Sequence, residues 1–307
     1  MATSPSTPAP ALSPSPSPLS AVGPPPSLTV TTLPTGLPAA LSREQVQPSG
    51  SNLLILGGLT GSTSSAAVQV FNPISDTVGP AGTLAVATHD AASAHLADGT
   101  DLLFGGGEAT TIDTVQAFAT TGGRTVGHLP QPRSDLEAAT IAGKVYLLGG
   151  YNGQADQPDI LETTDGVTFK LLTTLPLPVR YAGIGVVGNT IFLVGGEHNG
   201  AQTNAIQAVD VQAATATVIS HLPVALSHES AFVLGGSLFV AGGRSGATTR
   251  FQVDAVSPHT GGLTRAGALT QPIADAGIGQ LGQTVYLIGG ETPAQLRTIV
   301  RISPVTG

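Results

Sequence analysis

The stretch "TIFLVGGEHNG", Thr190–Gly200, decides the fold of this chain. Its apolar part, Ile191–Val194, is short, β-branched and aromatic, and turn residues bound it, which predicts a buried strand. A glycine pair after a strand allows a positive φ or a close approach of two backbones. Glu197 and His198 follow at once, so their side chains should stand at the open end of whatever the strand builds.

The same pattern of an apolar run followed by glycines occurs six times. The six runs are LLILGG, LLFGGG, VYLLGG, IFLVGG, LFVAGG and VYLIGG, ending at Gly58, Gly107, Gly150, Gly196, Gly243 and Gly290. Their final glycines are 49, 43, 46, 47 and 47 residues apart, and a period of this size is typical of a solenoid or a propeller. Each repeat contains four strand-like runs. The sequence therefore predicts an all-β protein, a six-bladed β-propeller.

The two chain ends strengthen this prediction. The last repeat stops at "TIVRISPVTG", after its third strand, and lacks a fourth. The segment "SLTVTTLP", Ser27–Pro34, matches the fourth-strand segment "TFKLLTTLP", Thr168–Pro176. We therefore expect the N-terminal strand to close the last blade, which would remove an open sheet edge.

At this point the sequence resembles the kelch-repeat family of β-propellers. The resemblance covers Ser27–Gly307 and rests on the repeated apolar run with its glycine pair at the kelch period. The chain departs from the family in having no tryptophan before the fourth strand, where Phe169 or aliphatic residues stand instead. It is similar in this respect to divergent bacterial kelch proteins.

Composition divides the chain into two parts and excludes several functions. Residues 1–26 are rich in Pro and Ser, which predicts a disordered tether; residues 27–307 are predicted to form the propeller. Such a tether is typical of an exported domain held at a membrane or wall without being inserted in it.

A net charge of −8 disfavours nucleic acid as a partner, and the absence of cysteine excludes thiolate chemistry. We expect no metal and no cofactor, and we expect the protein to be a monomer.

Two loop positions in each repeat are candidates for ligand binding. The first is the start of the innermost strand: Arg43, Asp90, Asp135, Tyr181, His228 and Asp275. In the third repeat the alignment leaves open whether Asp135 or Leu136 holds this position. The second follows the glycines: Leu59, Glu108, Tyr151, Glu197, Arg244 and Glu291. In kelch proteins these two loop classes supply ligand contacts, so the resemblance implies that both sets share one face. Neighbouring residues of the same face are expected to be Glu44, Glu137, Glu229, His89, Arg180 and His198.

Three functions remain open on the sequence. The leading interpretation is an exported or cell-surface sensor domain that binds a small molecule, a glycan or a protein segment on this face, because a rigid scaffold with variable loops suits recognition. The second is a carbohydrate-active enzyme of the sugar mutarotase or epimerase type, which the kelch resemblance implies, with Glu197, Arg180 and Arg244 as its catalytic residues. The third is a protein–protein adaptor. The sequence favours binding over catalysis.

Overall fold

The computed structural model describes residues 25–118 and 122–305, and these form a six-bladed β-propeller. Each blade is an antiparallel sheet of four main strands, and the described residues contain no helix. They accordingly include no helix that could cross a membrane. Residues 1–24, the greater part of the predicted tether, lie outside the described residues.

The strands of the first three blades follow one another in chain order. Blade one consists of Gln45–Ser49, Asn52–Leu56, Ala67–Asn72 and Thr77–Thr83. Blade two consists of Ala92–His95, Asp101–Phe104, Thr114–Ala117 and Arg124–His128. Blade three consists of Ser134–Ile141, Lys144–Tyr151, Asp159–Thr163 and Lys170–Thr174.

The last three blades repeat this order, except that blade six takes its fourth strand from the N-terminus. Blade four consists of Gly183–Val187, Thr190–Val194, Ala201–Asp210 and Thr215–Leu226. Blade five consists of Ser230–Leu234, Ser237–Ala241, Gln252–Val256 and Leu263–Ala268. Blade six consists of Gly277–Leu281, Thr284–Ile288, Leu296–Pro304 and Leu28–Leu41. Two-residue strands extend three loops: Leu59–Thr60 with Thr63–Ser64, Glu197–His198 with Ala201–Asp210, and Arg244–Ser245 with Thr248–Thr249.

The predicted closure by the N-terminal strand is present. Leu28 pairs with Pro304, and the pairing continues through Leu41 and Leu296 with two register shifts. The strand is longer than the segment Ser27–Pro34 that the sequence indicated. It contains Pro34 and Pro38, which are tolerated because a strand at a sheet edge can leave backbone positions unpaired.

The core consists of six apolar clusters, one between each pair of adjacent blades. The second strand of blade five shows how the chain builds them. Phe239 packs against blade six, whereas its neighbours Leu238 and Val240 pack against blade four. Because successive side chains of a strand point to opposite faces, a strand with a blade on each side must be apolar throughout. This explains the continuous apolar runs before the glycines.

The glycine pairs join each blade to the next. Gly195 and Gly196 have φ values of 61° and 92°, which only glycine adopts without strain. The N–H of Gly196 donates to the carbonyl of Leu226 at 2.8 Å, and a Cβ on Gly195 would lie 2.6 Å from that same oxygen. The second glycine of every pair makes the equivalent bond to the segment that leads from the fourth strand of its blade into the next blade. Thus the glycines are required by close backbone contact with these connecting segments.

Candidate ligand site at the propeller mouth

The six innermost-strand positions predicted from the sequence meet in one closed ring, here called the inner ring. Its members are Arg43, Asp90, Asp135, Tyr181, His228 and Asp275. The backbone N–H of each donates to the carbonyl of the preceding member at 2.8–3.2 Å, and Arg43 completes the ring by donating to Asp275. The face of the propeller on which this ring lies is called the mouth below.

All six inner-ring residues have left-handed backbone, with φ between 52° and 60°. Glycine would adopt this conformation without strain, and aspartate and histidine tolerate it, but arginine and tyrosine are disfavoured there. Non-glycine residues at such positions indicate that their side chains have a function, because strained residues cluster at functional sites. The ring geometry is the same in every blade, whereas its side chains differ.

The second predicted set forms an outer ring beside the first. Glu197 exchanges two backbone hydrogen bonds with Arg180, the residue before Tyr181, and equivalent bridges occur in the other blades. In blade two the bridged residue is Gly107, paired with His89, so Glu108 lies one residue beyond the position that the sequence assigned to it. The triple glycine Gly105–Gly107 caused this offset, because the sequence alone does not show which two form the pair.

Three glutamates expected on this face are not displayed there. Glu44 and Glu229 are buried between blades, where each accepts a hydrogen bond at 3.4 Å or less from the backbone of Gly277 or Gly183. Glu137 is partly buried lower on the first strand of blade three, two residues beyond Asp135. Burial raises the pKa of all three carboxyls to about 8. The strand pleat turns Glu44 and Glu229 between the blades, an effect that proximity in sequence did not predict.

Three arginines organise the charges of the mouth, and Arg43 is the most central. Its Nη1 lies 2.9 Å from Asp90 Oδ2, and its Nε lies 3.8 Å from Asp275 Oδ1. Burial alone would lower the pKa of Arg43, but attraction to these two carboxylates outweighs burial and raises it. The Nε of Arg43 is buried and makes no hydrogen bond to the described residues. Arg43 is therefore permanently charged, and its side chain remains 20% exposed.

Arg180 lies against two tyrosine rings. Its guanidinium carbon is 4.8 Å from the ring centre of Tyr151 and 5.3 Å from that of Tyr181, within cation–π range. It pairs with Glu197 at 3.3 Å, while the nearest oxygens of Asp135 and Asp156 are 4.0 and 3.9 Å away. Those two distances exceed hydrogen-bond range, so Arg180 donates to Glu197 alone among these three carboxylates, and its side chain remains 23% exposed.

Arg244 is engaged differently from the other two arginines. Its Nη2 lies 2.8 Å from Asp275 Oδ2 and also contacts Glu291. The structure thus brings Glu197 and Arg180 together but pairs Arg244 with other carboxylates. Burial raises the pKa of Asp275 to about 7, against the attraction of Arg43 and Arg244.

The remaining inner-ring side chains form a largely uncharged floor. The rings of Tyr181 and His228 stack with their centres 4.0 Å apart. Burial, reinforced by repulsion from the arginines, lowers the pKa of His228 to about 3, so this histidine is neutral. Burial raises the pKa of Asp135 well above its usual range, and repulsion from Asp90 adds to the shift.

A cavity of about 270 Å³ opens between Arg43 and Arg180. It is called the mouth cavity, and its lining includes Asp90, Asp135, Glu108, Tyr151, Tyr181 and His89. A cavity of about 450 Å³ elsewhere, along blade one, is larger but has no ionisable side chain in its lining. We regard the mouth cavity as the candidate site because charged donors and acceptors converge there.

Residues 25–118 and 122–305 contain no cluster of three or more His, Asp or Glu side chains arranged to hold a metal ion. The arrangement of the mouth cavity instead offers paired hydrogen-bond donors and acceptors beside two aromatic rings. Chemically, it can hold a polar ligand by charge-assisted hydrogen bonds.

Comparison with known proteins supports the fold alone. No protein-family profile matches the chain, and no curated protein matches its sequence. Among solved structures, that of YjhT aligns with 87% of this chain and 95% of its own, with a TM-score of 0.73 and 17% sequence identity. At that identity the likeness shows a shared architecture. The chain is a kelch-like, six-bladed β-propeller.

Proposed function

We propose that this protein is a ligand-binding propeller whose site is the mouth cavity between Arg43 and Arg180. The observation that carries the proposal is the inner ring: six side chains at left-handed positions, directed by one backbone geometry to one surface. Arg43 and Arg180 both line the cavity, and their side chains remain 20% and 23% exposed, which supports a role in binding.

The charges of the mouth cavity favour a polar ligand with little net charge. Its two arginines are accompanied by Asp90, Glu108 and the buried Asp135. A strongly anionic ligand would be repelled by these acids, and a strongly cationic one by the arginines. A hydroxyl group suits such pairs because it donates to a carboxylate and accepts from a guanidinium.

The setting of the domain is part of the same proposal. The Pro/Ser-rich composition of residues 1–24 supports an exported or cell-surface protein that carries the propeller on a tether as a sensor or binding module. Membership in the kelch family is proposed from the repeat pattern described above.

The experiment is a ligand-observed NMR screen of polar metabolites and glycans against the full chain. Arg180→Ala should weaken binding of the hits by about 10- to 100-fold, since charge-assisted hydrogen bonds contribute ~1.5–3 kcal/mol. Arg301→Ala, an exposed arginine on the third strand of blade six, is the matched control and should leave binding unchanged. Hits that bind Arg180→Ala as well as the original chain would contradict the assignment of the site.

A second candidate function is proton transfer on a bound sugar, as in a mutarotase or epimerase. The observation that favours it is Asp135, whose carboxyl lines the mouth cavity and has a pKa that burial raises well above its usual range, as suits a general acid. The test is the rate at which a bound reducing sugar interconverts its anomers, measured by NMR with the original chain and with Asp135→Asn. An equal rate with and without protein would exclude this function for that sugar.

A further inference from the structure

A third loop position lies at the mouth between each blade and the next, and two blades place there a glutamine that holds the adjacent blades together. The residues at this position are Ser64, Thr111, Asp156, Gln202, Thr249 and Gln295. Gln202 donates from Nε2 to Ser227 Oγ at 2.9 Å and accepts from the N–H of Gly246 at 2.6 Å. Gln295 makes the same two contacts, with Ser42 and Gly61.

The junction between blades three and four differs from these two glutamine junctions. Asp156 stands where they have glutamine, and Arg180 stands where they have serine. Asp156 Oδ2 still accepts from the N–H of Asn199 at 2.6 Å, the bond equivalent to those of Gly246 and Gly61. Its Oδ1, however, is 3.9 Å from the Nε of Arg180, which makes no hydrogen bond to the described residues.

A cavity of about 280 Å³ lies at this altered junction and is called the side cavity. Tyr151, Gln154, Ala155, Asp156, Arg180 and Asn199 line it. Aspartate is shorter than glutamine by one methylene, which leaves room that the glutamine fills at the other two junctions. Tyr151 and Arg180 also line the mouth cavity, so the two cavities share a wall.

We propose that the side cavity is a second subsite of the mouth and that the ligand is an uncharged oligosaccharide with one sugar ring in each cavity. This inference rests on the proposed function and adds to it the class and the length of the ligand. Each cavity is slightly smaller than the usual range for a complete ligand site, about 300–1,000 Å³, whereas the pair reaches it.

The lining of the side cavity supports an uncharged, hydroxyl-rich occupant. Gln154 and Asn199 present amide groups, and the charge of Asp156 is offset by Arg180. A charged ligand group would therefore find no surplus opposite charge there. Tyr151 supplies an apolar ring surface to both cavities, against which the C–H face of a sugar can pack while its hydroxyls reach the polar groups.

The test compares tryptophan substitutions at two equivalent alanines. Ala155 lines the side cavity, is exposed, and has ordinary backbone, so Ala155→Trp should fill the cavity without disturbing the fold. Ala201 is the equivalent exposed residue one blade further on and does not line the side cavity, which makes Ala201→Trp the matched control. Binding to an array of neutral mono-, di- and trisaccharides is measured for the original full-length chain and both variants.

We expect the original chain to bind at least one neutral disaccharide or trisaccharide tenfold or more tightly than its component monosaccharides. Ala155→Trp should remove that advantage, and Ala201→Trp should keep it. Three results would overturn the inference: no neutral glycan bound, equal affinity for one and two rings, or an unchanged advantage in Ala155→Trp. If Arg180→Ala abolishes binding of a ligand that Ala155→Trp leaves unaffected, the proposed function stands and the second subsite fails.

Discussion

The two sides of the mouth use the same backbone but treat their arginines differently. On the side of blades one to four, Arg43 and Arg180 line open cavities. On the side of blades five and six, Arg244 lines neither of those cavities and is held by Asp275 and Glu291. A repeated loop can therefore serve as scaffold or as site, and the cavity beside its arginine distinguishes the two, since Arg43 is also paired with carboxylates.

The largest effect should come from removing the scaffold that both sides share. A chain that begins at Leu37 lacks most of the closing strand Leu28–Leu41, leaving the third strand of blade six, Leu296–Pro304, as an open edge. We expect aggregation or a broad, lowered thermal transition, because ring closure couples the blades. A chain that begins at Ser27 is the control and should melt like the original. Equal melting of the two truncated chains would contradict the closure.

The next largest effect is on the free energy of unfolding, and it compares the two sides of the mouth directly. Arg244→Ala leaves Asp275, whose side chain is only 3% exposed, with Arg43 at 3.8 Å as its remaining cation. Breaking a buried pair costs ~3–5 kcal/mol, and the partial exposure of Arg244 reduces the expected loss to about 1–3 kcal/mol. Arg180→Ala should cost less, because its acidic partners are more distant. Urea unfolding of both variants measures the difference, and a larger loss for Arg180→Ala would reverse the comparison.

A smaller effect is expected from pH, through the glutamates between blades. The folded-state pKa of Glu44 and of Glu229 is about 8, above the ordinary value of 4.5, so folding favours their protonated forms. Their contribution to stability is complete below pH 4.5 and is lost as the pH rises through 8. Between pH 6.5 and 8.5 we expect the unfolding free energy to fall by about 1–2 kcal/mol for each of these two glutamates. Glu137 and Asp275, whose pKa values are also raised by burial, add to the fall in the same direction.

Glu44→Gln removes one of these titrating groups without changing its size and should flatten the pH dependence. The chosen range also avoids His228, whose depressed pKa affects stability only below about pH 6.5. A stability that rises from pH 6.5 to 8.5 would show that these carboxyls are ionised in the folded protein.

The last prediction is that the protonation state of His228 does not change with pH. His228 should remain neutral from pH 8 to pH 5, because burial and then the nearby arginines lower its pKa to about 3. Its ring ¹⁵N shifts should stay constant over that range. In Arg244→Ala, which removes one repelling charge, the pKa should rise. Protonation of His228 near pH 6 in the original chain would show that the stacked floor with Tyr181 is open to water.

The architecture was readable from the sequence because it is repeated. Six apolar runs with glycines fixed the blade count, and the matching segment Ser27–Pro34 predicted the closing strand. The inner ring was also predicted correctly by spacing, including Asp135. These features depend on backbone geometry that every blade shares, so each repeat supports the interpretation of the others.

The details of the site were less readable because they depend on loop length and side-chain direction. Asp156 was missed because the loop between the outer ring and this position is one residue shorter in blades two and six than elsewhere. Glu44 and Glu229 follow inner-ring residues in sequence but turn between the blades. The pairing of Arg244 required distances between blades, which no spacing along one chain supplies.

The closing strand also determines how the domain would respond to mechanical force. Leu28 and Pro304 pair at the end of the sheet remote from the mouth, since the strand reaches the inner ring only after Leu41. Tension applied through both chain ends would therefore pull two antiparallel strands apart from the same end. Their hydrogen bonds would be loaded one at a time, as in unzipping, and not all together as in shear. The feature that makes the ring stable at rest is thus the place where a stretched chain would open first.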